Sequence, residues 1–400
     1  MFNFLKRKNK RIYLDNSAST KTDPEVFSAM KSYWMENFGN PSSIHKEGIV
    51  AKKAISDARE RVARILGCRS KEIIFTSGGT EADNLAIVGI AMGAKSFLKK
   101  TGRSGHIIIT QIEHHAILAP AKFLEEQGFS VTYISVKENG IVDPTEIKKA
   151  LRDDTVLVSV MYANNEVGTV QPIEEIAKIV RKHRSNNQNS IYPYFHTDAC
   201  QAVGYLPVNV LKLGVDLMTL SGSKIYCAKG VGALFVKDKT KLSPILRGGN
   251  QEFGFRSGTE TVPYIVGFAK AVEISENLRE KESKRLAELR DYFIKSVLQQ
   301  FPKTKLNGDP ILRLPNNINL SFDGIEGEQL VIELDAVGVA VSAGSACATN
   351  DTGASHTLFS MYKDYDRAKQ AVRFSLGRYN AKEEIDFVLK TLPEIISRIS

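Results

Sequence analysis

EIIFTSGGTEADNLAI, residues 72–87, passes from an apolar, β-rich run through two glycines into a segment of helical character. A strand that ends in Ser77-Gly78-Gly79-Thr80 and restarts as a helix is one unit of a sheet wound with helices. The same alternation extends along the chain. Further apolar runs occur at HIIIT (106–110), VTYISV (131–136), TVLVSVMYA (155–163), YPYFHTDA (192–199), LMTLSG (217–222) and GVGALFV (230–236). Periodic stretches such as AKKAISDARERVARIL (51–66) and PIEEIAKIVRKHR (172–184) stand among them. Continuous apolar strands separated by helices predict an α/β fold with a mainly parallel sheet covered on both faces.

After about residue 265 the texture changes. The charged helical stretch 272–300 leads to NNINLSF, EQLVIELDAVGVAVSA and AVRFSLG, which predict a smaller α+β domain. The expected organisation is a large domain over 23–270 and a small domain over 271–400, with the segment 1–22 belonging to the small one. A chain of 400 residues is long enough for two cores. Its 42% hydrophobic and 25% charged residues exclude disorder.

The net charge of +9 comes partly from Lys6, Arg7, Lys8, Lys10 and Arg11, read as a solvated basic tail. An acidic partner or RNA is the sharper reading of that run, but no nucleic-acid-binding module is present, so direct nucleic-acid contact is not expected. MFNFLKRKNK lacks the apolar core of a signal peptide, and no apolar run approaches the ~20 residues that span a bilayer. The expectation is a cytoplasmic protein without membrane contact. Cys68, Cys200, Cys227 and Cys347 form no CxxC pair and no disulfide framework, so reduced thiols and no metal site are expected.

In a sheet of this kind ligands bind beyond the carboxyl ends of the strands. The residues there are Ser77 to Thr80, Glu113-His114-His115, Asn164-Asn165-Glu166, Asp198 with Gln201, and Ser221 to Lys224. The GSK triplet in SGSKIYCAKG (221–230) is not a nucleotide-binding P-loop, because position 217 is Leu and Ile225 follows the lysine. Singly, each group has an ordinary reading: Thr80 as a helix N-cap, Asp198 as a cap for the segment from Ala199, Lys224 as a surface charge. Together they make a phosphate cradle, a carboxylate and a lysine on one rim. Pyridoxal 5′-phosphate requires those three fixtures. In that reading Asp198 keeps the pyridine nitrogen protonated and Lys224 carries the aldehyde.

The chain resembles the cysteine desulfurases, pyridoxal-phosphate enzymes of transferase fold type I in the class V aminotransferase group. The resemblance runs from YLDNSAST (13–20) to GRYNAKEEID (377–386) through FGNPSSIH (38–45), NNEVGTVQPI (164–173), HTDACQAVG (196–204), RSGTE, SAGSACAT and VRFSLGRYN. It implies that Gly79, Thr80, Ser221 and Ser223 hold the phosphate, and that His114 stacks on the ring and moves protons. It further implies that Asn165 and Gln201 lie near the ring hydroxyl and substrate, and that Thr259 reaches a phosphate across a homodimer interface. Arg373 matches the arginine that grips the substrate carboxylate, with Asn165 beside it. Cys347 matches the thiol that takes sulfur from L-cysteine as a persulfide, leaving L-alanine. A sulfur-acceptor protein serving iron–sulfur cluster assembly, tRNA thiolation or cofactor thiolation is the implied partner.

SAGSACAT resembles the SSGSACTS-like loops of one subgroup, while ATNDTGASHTL after the cysteine departs from it. Ser223 stands where the family usually has histidine, which predicts a surviving phosphate site with weaker cofactor retention. Cys227 and Ala228 stand where Gly-Pro is usual, and Cys227 is read as a bystander. Cys68 and Cys200 are read as core filling. The alternatives carried by the sequence are a selenocysteine lyase, another class V aminotransferase-like enzyme, or a scaffold that has lost the cofactor.

Overall fold

The computed structural model describes residues 11–186, 191–344 and 354–399. Strand β1 (Ile12–Tyr13) opens the described chain, followed by helices Pro24–Met35 and Lys46–Leu66. The central sheet contains β2 (Ile73–Thr76), β3 (His106–Thr110), β4 (Ser130–Ile134), β5 (Thr155–Ser159), β6 (Tyr194–Asp198), β7 (Leu217–Ser221) and β8 (Gly232–Val236). Their spatial order is β2-β8-β7-β6-β5-β3-β4. Only β8 runs against its neighbours, pairing antiparallel with both β2 and β7. Six strands therefore point the same way, and their carboxyl ends share one edge of the sheet.

Strand alternation distributes the apolar side chains between two cores. Ile74, Ile107, Ile109, Leu157 and Leu217 pack on helices Gly79–Thr101 and His115–Glu126. Ile73, Phe75, Ile108, Val158 and Phe195 face helices Lys46–Leu66 and Ile173–Asn186 on the other side. Helices on both faces explain why the strands read as unbroken apolar runs. Gly232 is a position where space decides the residue. A Cβ there would lie 2.6 Å from the Leu220 carbonyl oxygen and 2.7 Å from the Gly78 carbonyl carbon, so β8 passes hard against the turn that precedes Gly79.

A further core lies in the C-terminal part. There β9 (Lys305–Leu306), β10 (Asn317–Ser321), β12 (Ser342–Ala343) and β13 (Ala371–Ser375) form an antiparallel sheet in the order β12-β13-β10-β9. Ile318, Leu320, Val372 and Phe374 pack there with Leu330, Val388 and Leu392 from helices Gly327–Ala336 and Lys382–Ile399. Ile12 and Leu14 join this core, and β1 pairs in parallel with β11 (Val339–Ala340). Helix Val262–Gln300 has 39 residues and crosses between the cores. Phe268 and Val272 sit in the first, Leu286 and Phe293 in the second. Periodicity predicts that helix from 272; it starts ten residues earlier, with Pro263 in its first turn, where the missing N–H costs nothing. Among the described residues no helix is long and apolar enough to cross a membrane.

Glu113, just past β3, ties two strand ends together. Its Oε1 accepts from the Thr110 hydroxyl at 2.7 Å and from Met161 N–H at 2.9 Å, while Oε2 is buried without a partner among the described residues. Burial pushes this carboxyl from 4.5 up to about 8. The folded chain thus holds the proton more tightly than the unfolded one. The stabilisation is complete below the unfolded value and is lost as pH rises through about 8. Glu113→Gln should flatten the fall in urea midpoint between about pH 5 and pH 8 relative to the unaltered chain. Parallel pH profiles for the two proteins would assign that fall to other groups.

Candidate active site

A cavity of about 380 Å³ opens at the shared carboxyl edge. Gly79 and Thr80 line it from the first turn of the helix after β2, and His114 from the N-cap of the helix after β3. Asn165 comes from the turn after β5, Asp198 from the end of β6, and Gln201 from just beyond it. Ser221 closes β7, and Ser223 and Lys224 sit in the tight turn that follows. Arg373 enters from β13 in the other core. Thr259 lies elsewhere, in a separate cavity with Trp34, Phe38 and Tyr264. Cys347 lies outside the described residues.

The YLDNSAST segment is laced across the mouth. Lys224 Nζ donates to the Ser17 and Ala18 carbonyls at 2.8 and 2.6 Å, and Gln201 Nε2 donates to the Ser17 carbonyl at 3.0 Å. The Thr20 N–H and hydroxyl both bind the Ser223 carbonyl, at 2.8 and 3.0 Å. Burial lowers the pKa of Lys224, making the amine easier to deprotonate than a surface lysine. A neutral amine is the form that attacks an aldehyde. His114 Nδ1 accepts from Ala116 N–H at 3.1 Å, which places its proton on Nε2. Burial depresses this imidazole further, although Asp198 opposes the shift.

A row of buried groups backs the cavity. Asp198 Oδ1 accepts from Cys200 N–H at 2.8 Å. Asp83 also lines the cavity, with Oδ1 buried and unpartnered among the described residues. Burial, and then the charge of Asp198, pushes the Asp83 carboxyl far up, so it holds a proton. Behind it His196 bridges Ser159 Oγ at 2.8 Å and Thr219 Oγ1 at 3.0 Å, and burial drives it down to about 3. Asp198 thus stands beside a neutral acid and a neutral imidazole.

These side chains fit pyridoxal phosphate. The Ser221 and Ser223 hydroxyls lie 3.1 Å apart beside a helix N-terminus, a donor set for a phosphate. Asp198 supplies a carboxyl group suited to a ring nitrogen, and Lys224 a buried amine suited to the aldehyde. At Gly79 a Cβ would stand 2.8 Å from Cys200 Sγ, so the helix start lies closer to the cavity wall than any larger residue permits. Among the described residues no group of His, Cys, Asp and Glu is arranged to hold a metal.

Sequence reading missed three features of this site. Asp83 lies three residues after Thr80, the helical spacing that puts two side chains on one face, so its signal was available. The Ser17 and Ala18 carbonyls are backbone groups and carry no residue signature. Cys200 is buried as expected, yet it lines the cavity instead of filling a core. Its thiol is pushed far up by burial and then by Asp198, and Cys68 and Cys227 rise to about 12 by burial. None of these three is an activated thiol.

The family model Aminotransferase class-V matches residues 12–388. The chain is 46% identical over 390 residues to Cysteine desulfurase IscS of Dictyoglomus turgidum, covering 98% of this chain and 95% of that one. A solved NifS-like protein superposes with a TM-score of 0.89 at 37% identity, covering 97% of this chain and all of its own. SspA in complex with cysteine superposes with a TM-score of 0.79 at 34% identity, over 92% of this chain and all of its own. With a buried lysine, a buried carboxyl and paired serine hydroxyls at one strand edge, the chain belongs to the cysteine desulfurases, the pyridoxal-phosphate enzymes of the class-V aminotransferases.

Proposed function

We propose that this enzyme removes sulfur from L-cysteine as a persulfide on Cys347, releases L-alanine, and passes the sulfur to an acceptor protein in the cytoplasm. The acceptor pathway is iron–sulfur cluster assembly or the thiolation of tRNA or a cofactor. The observation that carries this reading is the meeting of Lys224 and Arg373 in one cavity. An amine that binds an aldehyde cofactor faces a guanidinium that binds a carboxylate, which is the pair an amino-acid substrate needs.

The bound cofactor supplies the electron sink that lets bonds at the α-carbon and β-carbon of cysteine break. Ser221, Ser223, Thr80 and the helix start at Gly79 would hold its phosphate, and Asp198 would hold its ring nitrogen protonated. His114 lines the same cavity and would offer its Nε2 proton there. Lys224, released from the Ser17 and Ala18 carbonyls, moves the substrate's α-proton. Arg373 and Asn165 fix the carboxylate. The Cys347 thiolate attacks the substrate sulfur, an S–S bond forms, the C–S bond breaks, and the carbon side takes the electron pair and a proton. The raised pKa values of Cys68, Cys200 and Cys227 support the assignment of sulfur chemistry to Cys347.

A homodimer is part of the proposal. Trp34, Met35, Phe38, Ile44 and Phe253 are exposed apolar side chains, Trp34 and Phe38 lining the Thr259 cavity. The family resemblance implies that a second copy covering them brings Thr259 to the neighbouring phosphate site.

Lys224→Ala should eliminate the visible absorbance of lysine-bound cofactor; a retained band would remove Lys224 from its role. Cys347→Ser should keep that band while alanine release from cysteine drops on the order of a hundredfold or more. Unchanged release would place the sulfur chemistry elsewhere. Ser223→His should slow pyridoxal-phosphate dissociation in dialysis, and an equal loss rate would show that Ser223 holds the phosphate as firmly as an imidazole.

A further inference from the structure

Arg373 is almost sealed from water, its side chain 3% exposed. Nη1 donates to the Asn165 carbonyl at 3.0 Å and Nη2 to Asp15 Oδ1 at 2.8 Å. Nε is buried and has no partner among the described residues. On a planar guanidinium Nε and Nη2 share the edge that a carboxylate grips with two parallel bonds. One donor of that edge is open, and a carboxylate oxygen of the protein already occupies the other.

Asp15 cannot easily withdraw. Ser375 N–H donates to the Leu14 carbonyl and Asn16 N–H donates to the Ser375 carbonyl, at 2.6 and 3.2 Å, on either side of it. Asp15 itself bridges Ser375 in parallel register. The backbone ladder with β13 therefore fixes the carboxylate beside the guanidinium, where its side chain is only 18% exposed. Screening by solvent is weak at such a position.

We propose that Asp15 is a built-in counter-ion that limits how tightly Arg373 holds an amino-acid carboxylate, easing release of the amino-acid product. The proposal rests on the reading of Arg373 as the carboxylate grip. A ligand gains only the difference between the occupied and the empty site. In the empty site Asp15 already neutralises the buried cation, so an arriving carboxylate gains less. In the occupied site two anions share one guanidinium and repel each other. Both effects weaken binding of substrate and product alike. A residue that merely tethered Arg373 would act in the opposite direction, because its loss would loosen the grip.

The test is Asp15→Asn, which keeps the size and an acceptor oxygen for Nη2 but removes the charge. The holoenzyme is titrated with L-alanine while its cofactor absorbance is followed. The expected result is an alanine Kd lower by roughly five- to tenfold, with the KM for L-cysteine falling in step and kcat unchanged or lower. An unchanged or higher alanine Kd overturns the proposal. Asp15→Ser, which also removes the charge, supplies the same measurement if the Asn variant fails to load cofactor. Arg373→Lys separates the two layers of inference. If that change alone leaves alanine binding intact, the role of Arg373 fails; if it weakens binding while Asp15→Asn does not strengthen it, only the counter-ion fails.

Discussion

Arg373 is a cation placed where water scarcely reaches, and the surrounding chain is arranged around its need for partners. A buried guanidinium without acceptors would be costly. Its two terminal nitrogens are paired, one with Asp15 from the N-terminal segment and the other with Asn165 from the turn after β5. Arg373 itself belongs to β13, in the C-terminal core. One side chain thus joins three distant parts of the chain at the mouth of the cavity. Asn317 adds a second tie, donating to the same Asn165 carbonyl at 3.4 Å.

Charge in the cavity follows from burial as much as from composition. Asp83, Asp198, Glu113 and His196 stand close behind the site and are nearly or fully buried. If all three carboxyls were ionised they would repel in a medium that screens them poorly. The conflict resolves by protonation: Asp83 and Glu113 are pushed up and His196 is pushed down. Asp198 stands at the cavity face of this group, accepting from Cys200 N–H. The same environment holds Cys200 in its thiol form despite its place in the cavity wall. A thiol held protonated in this way is a poor nucleophile.

Much of this was legible in the sequence because the sheet converts strand ends into neighbours. Once TVLVSVMYA, YPYFHTDA and LMTLSG read as parallel strands, Asn165, Asp198 and Ser221 had to share an edge. Strand limits were less legible. Val160 and Met161 extend the apolar run beyond Ser159, but they are buried in the turn, where Val160 N–H still reaches the His196 carbonyl at 3.1 Å. The reversal of β8 has a simple cause. The link from Ser221 to Gly232 is too short for the crossover a parallel strand requires, usually a dozen residues or more. Partners supplied by the backbone, such as the Ser17 and Ala18 carbonyls, leave no mark on residue identity, and Asp15 reads as one more surface carboxylate until β13 is seen beside it.

The N-terminal segment therefore has a larger share in the site than its length suggests. Ile12 and Leu14 anchor it in the C-terminal core, while Thr20 binds the carbonyl of Ser223 in the large-domain turn. Between these anchors Asp15 faces Arg373, and the next carbonyls face Lys224. The separation between Arg373 and Lys224 is thus set by a short segment bonded at both ends. A shift of β1 against β11 would move Asp15 along Arg373 and the two carbonyls along Lys224 together. Arg373 and Lys224 are thus tied to one short segment, although they arise from different cores.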